Sequence, residues 1–373
     1  MMSDSPELPE QQFMQRAIEL AERGAAQVAP NPKVGAVVVN GGRVVGEGWH
    51  RSYGSPHAEV EALAMAGHAA RGATVYVSLE PCNHQGKTPP CTDALISAGV
   101  ARVVFATRDP NPRAAGGMEK LSAAGIVVES GLCEHQARTA NAAFLHYAHS
   151  LAAPSDPASL LPFVELKLAV SVDGAIAPAS RTRLSLTGAG AQAAVHAMRA
   201  ASDAVAVGIG TAVADDPALT VRLAAAPRVP PKRVVFDRAA RLPLDSVLAR
   251  TAHELPVIMV SDGADPQAVA ARASLGVVNL DARDLRQGLV RLRELGVNHL
   301  FVEGGAGLAS ALLADGLAHH LIIFQAPVIL GADALPAFAS LPAFDSGGPL
   351  RLKVLERRTF GDDLMTRYAV SGD

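Results

Sequence analysis

Cysteine is scarce in this chain, and its scarcity limits what kind of protein it is. Only three cysteines occur in 373 residues, at Cys82, Cys91 and Cys133. An odd and sparse set is unsuited to a disulfide framework and favours a reducing compartment. We therefore expect a cytoplasmic protein. Cys133 lies outside any motif, and we expect it to be a small buried side chain.

Long apolar runs and strong charge of either sign are also missing. No apolar segment approaches the ~20 residues that span a bilayer, and residues 1–10 are polar and acidic, unlike a secretory signal. A formal net charge of −3 gives no overall attraction for nucleic acid. We expect neither a membrane nor a nucleic acid as partner. The 49% hydrophobic content and the length indicate a globular protein of two domains.

Helical and strand patterns alternate through the first 150 residues. Gly41-Gly42 separates two β-rich runs, which is a strong hairpin signal. Helices are predicted at 13–27, 58–70, 91–99 and 117–124, and strands at 34–40, 43–49, 74–78, 102–106 and 126–129. This order predicts a mixed sheet with helices on both faces.

A proline-containing break at residues 151–160 predicts a linker, and hence domains at 1–150 and 161–373. Strands are predicted at 163–170, 204–207, 233–236, 256–260, 299–302 and 320–324, and helices at 190–200, 284–294 and 307–314. Residues 351–370 are predicted to form a hairpin that turns at Gly361-Asp362. Residues 223–284 carry few recognisable motifs.

A histidine and two cysteines form a pattern typical of a catalytic zinc site. The residues are His57, followed two positions later by Glu59, and Cys82 and Cys91, each preceded by proline. One imidazole and two thiolates leave a fourth tetrahedral position for water, and zinc lowers the pKa of that water to about 7. Glu59 can carry protons from the water to a leaving amine, as in the zinc-dependent nucleobase deaminases. Eight residues separate the two cysteines instead of the usual two.

Three further polar residues lie on loops expected near this metal. Asn31, between two prolines, is either a turn residue or an amide that reads the edge of a base. His50 ends the second hairpin strand, and His84 lies between the two cysteines. Each histidine is either solvated or part of a surface that recognises a phosphorylated ligand.

The second half of the chain has weaker signals. Gly208–Thr211 and Glu303–Gly307 are small-residue turns after strands, which are either tight turns or places where backbone N–H groups approach a phosphate. The pair Asp215-Asp216 before a proline is either a turn, a helix cap or part of a site. No Gly-x-Gly-x-x-Gly follows the first strand, so an ordinary Rossmann dinucleotide site is not predicted.

Longer blocks resemble the bacterial bifunctional deaminase–reductases of riboflavin biosynthesis. The blocks are Ala29–Gly35, Pro56–Val60, Leu79–Cys91 and Asp109–Pro112 in the first half, and Leu166–Leu168, Asp173-Gly174, Gly208–Thr211, Ala214–Arg222 and Val302–Gly305 in the second. The resemblance implies an N-terminal cytidine-deaminase-like α/β/α domain and a C-terminal dihydrofolate-reductase-like α/β domain. It also implies zinc and NADPH as cofactors, phosphoribosyl pyrimidine substrates and a homo-oligomer.

The same resemblance assigns residues to sites. In the deaminase, His57, Cys82 and Cys91 hold the zinc, Glu59 is catalytic, and Asn31, His50 and His84 bind substrate. The reductase substrate is assigned to Lys167, Arg183, Arg199, Leu219, Arg222 and Glu303. NADPH is assigned to Val170, Ser185, Thr211, Asp215, Gly305, Ala306, Gly307 and Leu308. Arg183 and Ser185 depart from the family pattern of a serine and a tryptophan-like residue.

Two other functions are compatible with parts of the sequence. One is a zinc deaminase of another nucleobase or of RNA, with a binding module as its C-terminal half. The acidic balance and the long loop between the cysteines disfavour it. The other is a metabolite-sensing or scaffold protein without reductase activity. Retention of Lys167, Asp215, Arg222 and Glu303 argues against it.

Overall fold

The computed structural model describes residues 8–153, 161–182, 184–338, 341 and 349–370. These residues belong to two compact units, residues 1–159 and 160–373. Among the helices that the structure describes, none combines the length and the apolar character that crossing a membrane requires.

The first unit is a five-stranded mixed sheet between two layers of helices. Its strands are β1 (Gly35–Asn40), β2 (Arg43–Trp49), β3 (Thr74–Val77), β4 (Arg102–Phe105) and β5 (Val127–Ser130), in the order β2-β1-β3-β4-β5. Its helices are α1 (Leu8–Glu22), α2 (Ala58–Ala66), α3 (Cys91–Ala98), α4 (Gly117–Ala123), α5 (Glu134–Ala140) and α6 (Ala142–Ala152). Pairing of β1 with β2 and β3 is antiparallel, and β3, β4 and β5 run parallel.

Strand alternation divides the core of this unit between the two faces of the sheet. Ala36 and Val38 pack with α2, α3 and α4, whereas Val37 and Val39 pack with α1 and α5. The predicted hairpin is present: Gly41 and Gly42 both have positive φ, as the tight turn between β1 and β2 requires.

Three helices of this unit differ from the sequence prediction. The first helix spans Leu8–Glu22, earlier than the predicted 13–27, because a Cβ on Gly24 would lie 2.3 Å from the carbonyl oxygen of His50. This close approach replaces the helix by turns. The prediction did not include helices α5 and α6, and α6 ends at Ala152, so the first two residues of the predicted linker are helical. Residues 154–160 of that linker lie outside the described residues.

Helix α2 lies unusually close to strand β2. A Cβ on Gly46 would lie 2.2 Å from the Ala62 carbonyl oxygen, and one on Gly48 would lie 2.4 Å from that of Ala58. Only glycine permits such contact. The first turn of α2, which carries the zinc motif, is thereby held against the sheet.

The second unit is built on a nine-stranded sheet. Its order is β11-β10-β9-β8-β12-β6-β13-β16-β15. The strands are β6 (Phe163–Val170), β7 (Ala175–Ala177), β8 (Ala204–Gly208), β9 (Lys232–Phe236), β10 (Val257–Ser261), β11 (Val277–Asp281), β12 (His299–Glu303), β13 (His320–Gln325), β14 (Leu335–Pro336), β15 (Lys353–Phe360) and β16 (Asp363–Ala369), with β7 and β14 forming a separate pair. The helices are α7 (Ala189–Ala200), α8 (Ile209–Asp215), α9 (Val247–Arg250), α10 (Pro266–Ala273), α11 (Leu285–Glu294) and α12 (Ala306–Ala314).

The seven strands from β11 to β13 are parallel, and the hairpin β15–β16 adds two antiparallel strands at one edge. Helices α11 and α12 pack on one face of this sheet, and α7, α8 and α9 pack on the other. The C-terminal hairpin turns at Gly361 and Asp362, as predicted. Strand β11 and helices α9 and α10 lie within residues 223–284, where few motifs were recognised.

A buried charge cluster lies on the strands β6, β12, β13 and β16, toward the amino ends of the three parallel ones. Glu165 accepts a hydrogen bond from Arg367. Its carboxylate also lies 3.0 Å from His299 Nε2 and 3.3 Å from His320 Nδ1. Burial opposes ionisation of Glu165, but the charge of Arg367 and the two histidine contacts outweigh it and hold its pKa well below the usual range.

Candidate active sites

The predicted zinc ligands meet in the first unit. His57 immediately precedes α2, Cys82 follows β3, and Cys91 is the first residue of α3. His57 Nδ1 lies 3.2 Å from Cys91 Sγ and 3.5 Å from Cys82 Sγ, and the three donor atoms lie within 4.8 Å of one another. Ligands of a tetrahedral zinc, at Zn–N and Zn–S distances of about 2.0 and 2.3 Å, are separated by roughly 3.5 Å. The donor set and its spacing therefore fit zinc.

Electrostatics at the two cysteines place one negative charge on the pair, at Cys82. The Cys91 thiol donates to Cys82 Sγ, and this contact, with those from His57, lowers the pKa of Cys82 to about 4. The same contact, together with burial, raises the pKa of Cys91. His57 Nε2, the ring nitrogen away from the sulfurs, lies 3.4 Å from the hydroxyl of Thr88. A hydroxyl in this position can fix the orientation of a metal-ligating imidazole.

Glu59 lies in the first turn of α2, two residues after His57, and is only 3% exposed. Burial raises its pKa to about 7, with a further contribution from the negative charge of Cys82. A carboxyl group with a pKa near neutrality can both accept and release a proton under cellular conditions. This property is what a proton carrier between water and a leaving amine needs.

The structure joins Asn31 to His50 beside the metal ligands. His50 Nδ1 lies 3.2 Å from the Pro56 carbonyl oxygen, and since a carbonyl only accepts, Nδ1 is the donor. Nε2 then accepts from Asn31 Nδ2 at 3.2 Å. Burial lowers the pKa of His50, and the nearby His57 lowers it further. The rings of His50 and His57 are 5.1 Å apart, so this neutral pair borders the metal site.

His84 and Asp109 form another polar edge of the site. His84 lies in the loop between the cysteines, and its buried Nδ1 has no hydrogen-bond partner among the described residues. Burial raises the pKa of Asp109 to about 6, and the negative charges of Glu80 and Cys82 add to this effect. Asp109 belongs to a recognised motif, but no role was predicted for it.

In the second unit, a cavity of about 1050 Å³ runs along the carboxyl ends of the parallel strands. Lys167 of β6 and Glu303 of β12 line one end. The other end is lined by residues at the ends of β9, β10 and β11, which are Phe236–Arg238, Val260, Asp262 and Ala282–Leu285. Ligands of open α/β sheets bind in this position, where connections leave the sheet in opposite directions. Strands β9 and β10 were predicted, but no sequence motif marks their carboxyl ends as part of a site, and β11 was not predicted.

Three predicted substrate residues form a charge network at the first end. Arg199 of α7 donates through Nε and Nη2 to the carboxylate of Glu303 and through Nη1 to the Thr220 carbonyl oxygen. Burial opposes ionisation of Glu303, but Arg199 and Lys167 outweigh it and lower its pKa. Burial also lowers the pKa of Lys167. The network therefore places a lysine of reduced proton affinity beside an ionised carboxylate.

The remaining predicted residues divide into those at the cavity and those away from it. Leu219, Arg222, Ser185, Thr211, Asp215, Gly305, Ala306, Gly307 and Leu308 all line the cavity. Val170 does not line it, since its side chain is buried in the core cluster on one face of the sheet. Arg183 lies outside the described residues.

A glycine and a buried carboxylate line the cavity. A Cβ on Gly305 would lie 2.9 Å from Thr211 Oγ1, so a side chain at position 305 would crowd the Thr211 hydroxyl. Asp237 at the end of β9 lines the cavity and is fully buried. Its Oδ2 accepts from the Leu242 backbone N–H at 2.7 Å, and Arg241 Nε lies 3.7 Å from its Oδ1.

Comparison with known proteins matches both units. Residues 8–107 match the cytidine and deoxycytidylate deaminase zinc-binding region, and residues 162–366 match the RibD C-terminal domain. The riboflavin biosynthesis protein RibD of Aquifex aeolicus is 38% identical over 95% of this chain and 96% of its own length. That of Escherichia coli is 38% identical over 96% and 98%. The chain belongs to the RibD family.

Solved RibD structures have the same fold as this chain. A structure of Acinetobacter baumannii RibD superposes with a TM-score of 0.75 at 39% identity, covering 98% of this chain and 99% of its own. A deaminase/reductase from Thermotoga maritima gives 0.76 at 34% identity, covering 97% and 99%.

Membership of the RibD family confirms the predicted fold class and the resemblance inferred from the motifs. The protein is a bifunctional enzyme of riboflavin biosynthesis, with a zinc-dependent deaminase domain and a reductase domain that uses NADPH. The donor set of His57, Cys82 and Cys91 fits the first cofactor, and the strand-end cavity fits the second.

Proposed function

We propose that the chain hydrolyses the 2-amino group of 2,5-diamino-6-(5-phosphoribosylamino)pyrimidin-4-one and then reduces the ribosyl chain of the product to ribityl. The Thermotoga maritima relative is described as a diaminohydroxyphosphoribosylaminopyrimidine deaminase and 5-amino-6-(5-phosphoribosylamino)uracil reductase. Similarity to such proteins over nearly the whole chain carries the proposal, because both sites then occur in one polypeptide.

In the deaminase, His57, Cys82 and Cys91 hold the zinc. Zinc supplies an acidified water and hence a nucleophile at neutral pH. Glu59 would accept one proton from the attacking water and deliver it to a ring nitrogen of the pyrimidine. It would then take the second proton from the newly formed hydroxyl and pass it to the amino group, which leaves as ammonia when the C–N bond breaks. Its burial and raised pKa support both directions of transfer.

Substrate recognition in the deaminase is assigned to Asn31, His50 and His84. The hydrogen bond between Asn31 and His50 fixes the orientation of the amide, so its oxygen is free to accept from an amino group. The position of His84 in the loop between Cys82 and Cys91 supports a contact with the substrate.

In the reductase, NADPH supplies a hydride to C1′ of the opened ribosyl group. Lys167 Nζ hydrogen-bonds the reacting chain, and Glu303 is kept ionised by Arg199 and Lys167. Leu219 and Arg222 border the ribosyl phosphate end. Thr211, Asp215 and the turn Gly305–Leu308 border the cofactor, together with Ser185. The assignments of Val170 and Arg183 remain predictions.

The proposal is tested by supplying the diaminopyrimidine substrate to the purified protein. Ammonia release reports the first reaction, and the fall in NADPH absorbance reports the second. Both signals are expected, with reduction following deamination. Ammonia release from cytidine or tRNA, with none from the diaminopyrimidine, would contradict the proposed substrate.

We also propose a domain boundary in the linker at 151–160, between domains 1–150 and 161–373. Limited proteolysis with mass spectrometry of the fragments tests it. A homo-oligomer is likewise proposed, and light scattering of the purified chain measures its mass. The sparse cysteines support a cytoplasmic location, which imaging of a tagged chain tests.

A further inference from the structure

His196 lies in the reductase cavity, although no sequence motif pointed to it. It belongs to α7, one turn before Arg199, so both side chains face the same side of the helix. The residue is only 6% exposed, and it is among the residues that line the cavity. Each of the two ring nitrogens of a histidine can form a hydrogen bond. In His196 the two nitrogens lie in different environments.

The first nitrogen anchors a segment of the cavity wall. The backbone N–H of Arg222 donates to His196 Nδ1 at 3.0 Å. A backbone N–H can only donate, so Nδ1 is unprotonated and the neutral ring carries its hydrogen on Nε2. The contact therefore fixes both the position of Arg222 and the tautomer of His196.

The second nitrogen has no such protein partner. Among the described residues, no hydrogen bond to His196 Nε2 is present, and Nε2 is not among the buried polar atoms that lack a partner. Since the residue is otherwise buried at the cavity wall, this N–H is open to the cavity.

The nearby arginines differ in how far their donors are already used. Arg199 makes three hydrogen bonds, two to Glu303 and one to the Thr220 carbonyl oxygen. Arg222 is exposed, and one of its terminal nitrogens contacts the Thr220 hydroxyl at 3.0 Å. Arg222 and His196 Nε2 are therefore available as donors for an anion at this end of the cavity, beside Lys167, which is assigned to the reacting chain.

We propose that His196 is a substrate-binding residue of the reductase, which holds the Arg222 backbone through Nδ1 and donates from Nε2 to the phosphate of the substrate. The proposal rests on the proposed function, which supplies a phosphoribosyl ligand. It assigns Arg199 to the positioning of Glu303 instead of to the phosphate.

The charges around His196 favour its neutral form. Arg199 on the same helix, Arg222 on the following segment and Glu303 at the end of β12 act on the ring. Burial lowers its pKa, and the two arginines lower it further, against Glu303. Protonation of Nδ1 would also break its hydrogen bond with the Arg222 N–H, because a charged ring has no acceptor nitrogen. The ring is therefore expected to stay neutral and to donate to the phosphate from Nε2 without taking up a proton.

Three substitutions separate the two nitrogens. His196→Asn keeps an acceptor near the Nδ1 position and removes the Nε2 donor. His196→Gln places an N–H donor near the Nε2 position. His196→Ala removes both groups. His253→Asn is a matched control, because His253 is an exposed histidine of the same unit outside the cavity.

Ribose 5-phosphate is the binding probe, measured by isothermal titration calorimetry with the full-length protein. His196→Asn is expected to weaken its binding about tenfold, the effect of one lost hydrogen bond to a charged group. His196→Gln is expected to recover most of the affinity, and NADPH affinity is expected to stay at the wild-type value in both. The ratio of wild-type to Asn-variant affinity is expected to stay constant over the pH range in which the ring is neutral, and taking this ratio removes the probe's own ionisation from the comparison.

Unchanged probe binding in His196→Asn, or equal losses in the Asn and Gln variants, would overturn the proposal. NMR of the labelled His196 ring gives an independent readout that does not depend on a variant folding. The Nε2 resonance is expected to shift on addition of the probe while Nδ1 stays unprotonated, and an unmoved Nε2 resonance would contradict a contact with phosphate. Wild-type NADPH oxidation with deaminated substrate is measured in parallel. A wild-type protein inactive in that assay contradicts the proposed function, whereas an active one with an unaffected Asn variant contradicts only the role of His196.

Discussion

The two units of this protein build their sites in opposite ways. The deaminase site is short-range: its catalytic carboxylate and three metal ligands lie within residues 57–91, at the ends of two helices and one strand. The reductase cavity draws on the ends of six parallel strands, from Lys167 to Glu303, with helices between them. A compact constellation can be recognised as a motif, whereas a distributed one depends on the whole sheet being in place.

Loss of a zinc ligand gives the largest expected effect and tests whether the sites are separable. In Cys91→Ser, zinc content and deamination are expected to fall to background, because two soft thiolates define the donor set. Reduction of supplied deaminated substrate is expected to continue. Metal analysis and both assays measure this, with Cys133→Ser as the control that keeps both activities. Full zinc occupancy in Cys91→Ser would contradict the ligand assignment.

Glu59→Gln separates proton transfer from metal binding. We expect wild-type zinc content and a fall in the kcat of deamination of about 10²–10⁴-fold, the usual contribution of a general acid–base. Glu61→Gln is the control on the same helix, since Glu61 pairs with Arg51 instead of facing the metal. Retained turnover in Glu59→Gln would mean that another group moves the protons.

Glu165→Gln tests whether the reductase cavity, at the carboxyl ends of the strands, depends on the charge cluster toward their amino ends. Removing the carboxylate leaves Arg367 and two histidines without it, so the free energy of unfolding of this unit is expected to fall by ~3–5 kcal/mol. The folded pKa of Glu165 is lowered, so its stabilisation is present above the unfolded pKa of about 4.3. It is lost as the pH falls from there through the folded pKa.

Urea unfolding followed by loss of NADPH binding, at a series of pH values, measures this effect. The difference between wild type and Glu165→Gln is expected to shrink below about pH 4. A difference that stays constant with pH would mean that ionisation of Glu165 does not contribute.

Arg222→Ala gives the smallest expected effect and tests the substrate end of the cavity. The KM of the reductase substrate is expected to rise about tenfold through loss of a charged hydrogen-bond donor, with deamination unchanged. Arg250→Ala, an exposed arginine outside the cavity, is the control. An unchanged KM in Arg222→Ala would place the phosphate elsewhere.

The same contrast explains what the sequence could predict. Strands β1 and β2 were predicted because a Gly-Gly turn separates two β-rich runs, and the C-terminal hairpin because Gly361 marks its turn. Strand β11 was missed because its pattern has no alternation and lies among segments without motifs. Residues that follow β11 line the far end of the cavity, and the sequence therefore did not predict this part of the site.

Contacts between residues that are distant in the sequence could not be predicted, for a different reason. His196 gave no signal, since a single histidine in a helical pattern is indistinguishable from a packed core residue. Its role depends on Arg222, 26 positions later in the chain, whose backbone N–H reaches it only in the folded state. The hydrogen bond between Asn31 and His50 has the same character.

The contact of α2 with Gly46 and Gly48 extends the deaminase site beyond the residues that touch metal or substrate. An added methyl group at either position would push the helix away from its strand, and His57 and Glu59 would shift together as one rigid body. Gly46 and Gly48 on the neighbouring strand thus keep the imidazole and the carboxylate in their positions. A screen for inactive variants should identify substitutions at these two glycines as well as at the metal ligands.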